Sequence, residues 1–212
     1  IISRVLEDAG FKVAVLSQPD YRSANDFKQF GRPRLGFLVT SGNIDSMVAH
    51  YTVAKKKRST DAYSPGGKMG LRPDRAVIVY CQKIREIYGD IPIIIGGGPC
   101  AYNPEPVADF FDLFNIGEGE EMLVEIVRLY IKMKDEGRYT RAAFLHEAAR
   151  TIKGVYVPSL YDVEYNEDGT IKSMAPNCPE APVKVKKRII SDYGHLSNVD
   201  CAEILSKLIC EK

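Results

Sequence analysis

Short segments that are apolar throughout alternate with amphipathic segments along most of this chain, and this alternation constrains the fold more than any other feature. We predict buried strands at residues 11–16, 35–40, 92–95 and 113–116. Strands without polar alternation are typical of parallel sheets that are covered on both faces. Helical segments between consecutive strands supply that cover. The sequence therefore predicts an α/β fold built on a doubly wound parallel sheet.

Helices are predicted wherever apolar residues recur at a helical spacing. The predicted helices cover residues 1–9, 44–51, 73–87, 105–111 and 120–136. After residue 138 we expect a different organisation, with a helix to Thr151 and a strand at 155–157. The Asp168-Gly169 pair predicts a β-hairpin over 161–174. An exposed strand at 183–190 and a closing helix at 196–209 follow.

These differences predict two units. The first is an α/β domain at residues 1–138, and the second is a small α+β extension at 139–212. The chain of 212 residues is 45% hydrophobic and 27% charged, which is typical of a globular domain with one sizeable core.

Composition also limits the classes of partner that we expect for this chain. The apolar runs are far shorter than the roughly 20 residues of a membrane span, so we expect no membrane partner. A net charge of +1 gives no reason to expect nucleic acid as a partner. Five cysteines without a CxxC pair predict reduced thiols in a cytoplasmic protein.

The loops that leave the carboxyl ends of the strands are the candidate site, because parallel α/β sheets bind ligands there. Three such loops carry glycines that let a small molecule approach the backbone, although turn formation explains these glycines equally well. The predicted cofactor-binding residues are Thr40, Ser41, Gly42, Asn43, Gly96, Gly97, Gly98, Gly117, Glu118 and Gly119.

We find no pattern for catalysis or metal binding. The three histidines, His50, His146 and His195, have no partner at a spacing typical of zinc sites. We therefore expect no catalytic residue and no metal ligand in this chain.

Two other functions stay open. The basic loop at 55–75 could make the chain an RNA- or phosphate-binding module through Lys55, Lys56, Lys57, Arg58, Lys68, Arg72 and Arg75, although such runs are usually solvated helix ends. The loops at 96–100 and 117–121 could instead belong to a small stand-alone transferase, which would need a general base that the sequence does not offer.

Several strings resemble known families. Five strings resemble the N-terminal region of YgiQ-type radical-SAM proteins: QPDYRS (18–23), GRPRL (31–35), TSGNIDSMV (40–48), YSPGGK (63–68) and LRPDR (71–75). Three further strings resemble a second, uncharacterised radical-SAM group with a cobalamin-binding-like domain: GGPCAYNPEP (97–106), IGEGEE (116–121) and GVYVPSLY (154–161). The two resemblances meet near Gly96, as expected of a mosaic or a fragment, and neither covers the tail from Tyr193.

The resemblance implies a flavodoxin-like, cobalamin-binding-like domain that precedes a radical-SAM barrel in the same parent chain. It implies an accessory domain that is not itself catalytic, with a cobalamin-like or nucleotide-like small-molecule ligand in its cleft. The family's first, central strand is expected upstream of Ile1, so that the sheet formed by these 212 residues lacks it.

Two family motifs are absent from the 212 residues. The CxxxCxxC motif, which holds a [4Fe–4S] cluster and its S-adenosylmethionine, does not occur, so we expect both groups only in the parent protein. The DxHxxG loop, which supplies the axial histidine of bound cobalamin, does not occur either.

Overall fold

A four-stranded sheet forms the centre of the molecule. The computed structural model describes residues 1–89 and 92–191. The strands are β1 (Gly36–Val39), β2 (Ile93–Gly96), β3 (Leu113–Asn115) and β4 (Val155–Tyr156), and they lie in that order. β1, β2 and β3 are parallel, whereas β4 pairs with β3 in the antiparallel direction. The prediction of an α/β fold with a largely parallel sheet is confirmed.

Six helices surround the strands within the described residues. They are α1 (Ile2–Asp8), α2 (Asn25–Lys28), α3 (Ser46–His50), α4 (Ala76–Tyr88), α5 (Gly119–Asp135) and α6 (Arg141–Thr151). Shorter 3-10 turns occupy Pro65–Gly67, Gly98–Tyr102, Glu105–Phe110 and Pro158–Leu160. The predicted hairpin is also present, as β5 (Tyr161–Tyr165) and β6 (Ile171–Pro176).

The sheet and two long helices make one hydrophobic core. Ile93 and Ile94 of β2 and Phe114 of β3 are fully buried, and Ile84 of α4 and Ile126 of α5 pack into the same core. Burying a side chain of this size contributes about 1.5–3 kcal/mol, so the central strands are a main source of stability. In the described part of the chain, no helix is long and apolar enough to span a membrane.

Residues 11–16 do not form the strand that their apolar composition predicts, and that prediction is wrong. Phe11 and Val13 pack against the core, but Val15 is 67% exposed. A strand needs a hydrogen-bonded neighbour, and among the described residues β1 pairs with β2 alone. Composition shows that a segment can be extended but does not show whether a partner strand lies beside it.

The predicted strand at 183–190 is also wrong in the region that the structure describes. This segment makes one isolated parallel bridge, between Arg188 and Gly117, and no regular strand. The helix predicted at 196–209 lies outside the described residues.

The first part of the predicted extension packs closely on the α/β domain. Phe144 of α6 meets Tyr130 of α5 edge-on with ring centroids 5.9 Å apart, and Tyr139 contacts both rings. β4, which also lies beyond residue 138, is a strand of the main sheet. A domain boundary at 138 stays a prediction, and residues 141–156 contribute to the same core as the domain before it.

We expect Gly36→Ala to destabilise the sheet selectively. A Cβ atom at Gly36 would lie 1.9 Å from the carbonyl oxygen of Ile93, its partner on β2, so β1 would have to move away. The expected loss is about 2 kcal/mol in the free energy of unfolding, measured by urea denaturation. Gly97→Ala is the matched control, because a Cβ there meets no atom within 4 Å. Equal losses in the two variants would contradict the close β1–β2 pairing.

Candidate functional site

The first two predicted loops lie against each other at the carboxyl ends of β1 and β2. A Cβ atom at Gly98 would be 2.6 Å from Thr40 Oγ1, and Gly98 has a φ of +68°. Glycine is therefore required at this point for two reasons. Thr40 Oγ1 also accepts a hydrogen bond of 3.3 Å from the Gly42 amide. The structure thus brings residues 40–42 together with residue 98, as the strand order predicts.

The place where these two loops meet offers space and polar groups to a ligand. Gly97 is extended, with no atom within 4 Å of the position of a Cβ. Ser41 is 5% exposed, and its Oγ has no hydrogen-bond partner within the part of the chain that the structure describes. A buried hydroxyl without a partner costs free energy.

The third predicted loop is covered by the chain's own segment at 188–190. A Cβ at Gly117 would lie 2.2 Å from the Arg188 carbonyl oxygen, and the Glu118 amide donates to that oxygen at 3.1 Å. The Glu118 carboxylate accepts from the Ile190 amide. The close approach that the glycine permits is therefore made by the protein's own backbone.

The covering segment is held by an ion-pair cluster. The Arg188 guanidinium binds Glu121 at 2.6 Å and Glu125 at 2.8 Å, both on the first two turns of α5. The hydrogen bonds that the guanidinium donates to both carboxylates raise the pKa of Arg188, so it is charged at all relevant pH values. The third loop is thus bound by other parts of the chain. Its last residue, Gly119, packs against Ile2 of α1.

A cavity of about 380 Å³ opens beside these loops, between the turn after β2 and the β5–β6 hairpin. Apolar and aromatic side chains dominate its walls, which include Tyr102, Glu105, Tyr156, Tyr161, Met174 and Val183. None of the ten predicted residues is in its lining, although Ile116 directly precedes Gly117 and lines it. Sequence reasoning missed this cavity because the hairpin and residues 183–185 reach it only through tertiary folding.

Glu105 provides the negative charge in this cavity, which Lys184 also lines. Its carboxylate accepts hydrogen bonds from Tyr165 Oη at 2.8 Å and from Tyr156 Oη at 3.2 Å. Burial, together with the nearby Glu105 charge, raises the pKa of Tyr156, and the hydrogen bond to Glu105 raises the pKa of Tyr165. Both phenols therefore stay protonated as donors. A carboxylate has about four acceptor positions, so Glu105 can accept further hydrogen bonds from a ligand.

A buried ion pair fastens the 59–75 loop beneath the first predicted loop. Asp61 is fully buried and accepts two hydrogen bonds of 3.0 Å from Arg72 Nη2, one on each carboxylate oxygen. Arg72 Nη1 donates to the Ile44 carbonyl at 3.1 Å. Burial by itself raises the pKa of Asp61, but hydrogen bonds from Tyr63, Ser64 and Arg72 outweigh it and the pKa is lowered. Arg72 therefore links two loops.

His50 belongs to the same buried network. Its Nδ1 lies 2.7 Å from Asp74 Oδ1 and its Nε2 lies 3.4 Å from Asp61 Oδ2, while the side chain is only 4% exposed. Tyr51 Oη donates to the other oxygen of Asp74 at 2.7 Å. The histidine is enclosed by carboxylates, so it presents no ring nitrogen to a ligand at the sheet edge.

The phosphate-binding alternative loses one of its cations in this arrangement. It relied in part on Arg72, whose guanidinium is buried on Asp61. Arg58 Nε donates to the Tyr51 carbonyl at 3.1 Å.

The cysteines do not fit an iron–sulfur cluster within the described residues. Cys81 is completely buried in α4, Cys100 Sγ donates to the Gly97 carbonyl at 3.0 Å, and Cys178 lies in the turn after β6. A [4Fe–4S] cluster needs several thiolates at one point, and no group of three thiols occurs among the described residues. The enclosed His50 likewise does not fit an axial ligand of cobalamin.

Two family comparisons match overlapping parts of this α/β chain. Residues 1–100 match the family described as "Radical SAM N-terminal", and residues 74–158 match "Radical SAM proteins, N-terminal". Together these matches cover residues 1–158, and they support an N-terminal region of radical-SAM-type proteins. The overlap at 74–100 includes Gly96, where the two resemblances meet.

Curated relatives are UPF0313 proteins. One from Clostridium perfringens (strain SM101 / Type A) is 48% identical over 155 residues, covering 66% of this chain and 23% of the relative. Another from Clostridium botulinum (strain ATCC 19397 / Type A) is 42% identical over 185 residues, covering 79% of this chain and 29% of the relative. The chain thus spans about a quarter of the length of these relatives. No solved structure matches it significantly.

The alignments bear on the expectation of a mosaic. The alignment with the Clostridium botulinum relative covers 79% of the chain, which is more than the part before Gly96 or the part after it. This alignment therefore crosses Gly96. The aligned stretch therefore includes residues from both sides of the point where the two resemblances meet.

We expect Arg72→Met to destabilise the chain strongly, because it leaves the Asp61 charge buried without its partner. Breaking a buried pair in this way costs about 3–5 kcal/mol. The neighbouring Arg75→Met is the control, because Arg75 is exposed, and surface substitutions usually stay within about 0.5 kcal/mol. Thermal and urea unfolding of both variants measure the difference. Similar stabilities would show that the Asp61–Arg72 pair is dispensable.

Proposed function

We propose that this region is a non-catalytic accessory domain of a radical-SAM-type protein, and that it holds a small-molecule ligand for the barrel of the same parent chain. Three observations support the accessory role. The chain matches N-terminal families, spans about a quarter of its curated relatives and lacks the CxxxCxxC motif. The barrel would then carry the [4Fe–4S] cluster and S-adenosylmethionine.

The cavity beside Glu105 is the single observation that supports a ligand most directly. It lies where chain segments leave β2 and β3, the position at which parallel α/β sheets bind ligands. Apolar and aromatic walls with a small number of charged or polar groups, here Glu105 and Lys184, are typical of small-molecule sites.

A nucleotide-like ligand suits this cavity better than cobalamin. Its volume of about 380 Å³ lies near the lower end of the range for small-molecule sites, which favours a nucleoside over the much larger corrin ring. Tyrosine side chains can stack on a base, and Glu105 can accept hydrogen bonds from an amino group or from ribose hydroxyls. In this proposal, the resemblance to cobalamin-binding-like domains concerns the fold and not the ligand.

The loops at 40–43 and 96–98 take a second role in the proposal. Gly97 directly precedes the turn that leads to Tyr102, and Thr40, the neighbour of Ser41 in sequence, contacts Gly98 of that turn. A ligand whose base lies in the cavity would place its polar end towards these loops.

Calorimetric titration with adenosine, ATP and hydroxocobalamin tests the ligand. We expect adenosine or ATP to bind the wild-type chain, and Tyr102→Ala to weaken that binding about ten-fold, since stacking of one base contributes about 1–3 kcal/mol. Tyr102 is 93% exposed, so its replacement should leave stability unchanged. Phe30→Ala removes another exposed aromatic ring, 61% exposed and remote in sequence, and should have no effect.

Gly97→Val locates the polar end of the ligand. Relative to the wild type, a greater loss of affinity for ATP than for adenosine in this variant would support the role of the 96–98 loop. Binding of hydroxocobalamin alone, or equal affinities in the wild type and Tyr102→Ala, would overturn the nucleotide-like proposal while leaving the accessory role untouched.

Anaerobic reconstitution with iron and sulfide tests the non-catalytic role. We expect no stoichiometric [4Fe–4S] absorbance from the 212-residue chain, because its thiols are not spaced to converge on one cluster. The same reconstitution of a full-length UPF0313 relative is the positive control. One cluster per chain, with cleavage of S-adenosylmethionine, would contradict the accessory role.

A further inference from the structure

Three metal-ligating side chains from separate parts of the sequence meet beside the hairpin. His146 lies on α6, whereas Cys178 and Glu180 lie in the turn after β6. His146 Nδ1 is 3.4 Å from Glu180 Oε2, and the ligand atoms of the three residues all lie within 4.8 Å of one another. Across residues 1–89 and 92–191, no other group of three His, Cys, Asp or Glu side chains comes so close.

We propose that His146, Cys178 and Glu180 bind a zinc ion. Imidazole nitrogen, thiolate and carboxylate are the three ligand types that zinc takes in proteins, and the thiolate disfavours magnesium and calcium. A thiolate and a carboxylate together balance the charge of Zn²⁺. Ligands about 2.0–2.3 Å from zinc in a tetrahedral site are about 3–4 Å from one another, so small rotations of these side chains bring them to an ion.

The backbone that carries the ligands is already held in place. The amide of Asn177, next to Cys178, donates to the Leu160 carbonyl at 2.9 Å. On the other side of the turn, Tyr161 Oη donates to the Pro182 carbonyl at 2.7 Å. His146 is on a helix whose opposite face is buried in the core. Ligands mounted on such supports lose little freedom when an ion binds.

The surroundings permit a cation. The positive charge of Arg150 interacts with Glu180, but its guanidinium is bound to Glu147 at 2.8 and 3.0 Å, which offsets its repulsion of a cation. The side chains of His146 and Glu180 are 40% and 36% exposed, so an ion can reach them from solvent. The three protein ligands leave a fourth tetrahedral position for water.

Zinc at this point would join α6 to the segment that covers the third loop. The turn of Cys178 and Glu180 continues through Pro182 to Arg188, which hydrogen-bonds Ile116 and Glu118. An ion that ties the start of this segment to α6 reduces its freedom to leave the sheet edge. The inference does not depend on the ligand proposed for the cavity.

Cobalt(II) titration of the reduced chain tests the site, because tetrahedral Co²⁺ replaces zinc and reports a bound thiolate by a near-ultraviolet charge-transfer band. All proteins carry Cys201→Ser and Cys210→Ser to remove the tail thiols. We expect one Co²⁺ per chain with this band, displaced by one equivalent of Zn²⁺. Cys178→Ser should abolish the band, and His146→Gln and Glu180→Gln should each weaken binding at least about ten-fold.

Cys100→Ser is the matched control, since it removes another half-buried thiol and should leave the band and the affinity unchanged. Circular dichroism melts without metal establish that every variant folds. Absence of the charge-transfer band in the protein that carries only the two tail substitutions, its survival in Cys178→Ser, or unchanged affinity in both His146→Gln and Glu180→Gln would each overturn the proposal.

Discussion

Parallel pairing of β1 with β2 and of β2 with β3 is the constraint on which the other features depend. Parallel strands end at the same edge of a sheet, so the pairing brings Thr40 and Gly98 into contact. The pairing is close because Gly36 lies directly on the Ile93 carbonyl. The cavity beside Glu105 and the loop covered by Arg188 both follow from strands that end at this edge.

Charged groups in this chain serve two different purposes. The Asp61–Arg72 pair is buried, and it holds the 59–75 loop against the first site loop. Glu105 has a different position, at the wall of a solvent-accessible cavity with two tyrosine donors. A charge that is fully engaged inside the protein stabilises a loop, whereas a charge with free acceptor positions in a cavity can bind a ligand. This difference is why the proposed function rests on Glu105.

The candidate site could be predicted only in part. Because parallel strands end at one edge, the first two predicted loops meet, with Thr40 against Gly98, but their role in ligand binding stays a prediction. The sequence could not show that Gly117 accommodates Arg188, because a glycine at which backbone approaches closely looks the same in sequence whether the neighbour is a ligand or the chain itself. Glu105 and Tyr156 are 51 positions apart in sequence, and no local pattern indicates that they share a hydrogen bond.

The sequence by itself determined the α/β class, most helix and strand positions and the β5–β6 hairpin, because hydrophobic periodicity and turn residues act over a few neighbouring positions. It also determined the absence of CxxxCxxC, and its long motifs indicated the radical-SAM N-terminal families. Tertiary structure alone decided that residues 11–16 have no strand partner within the described part of the chain and that β4 runs antiparallel. It also decided that the 188–190 segment returns to Gly117 and that His146 meets Cys178. Each of these depends on contacts between residues distant in sequence, which local propensity does not encode.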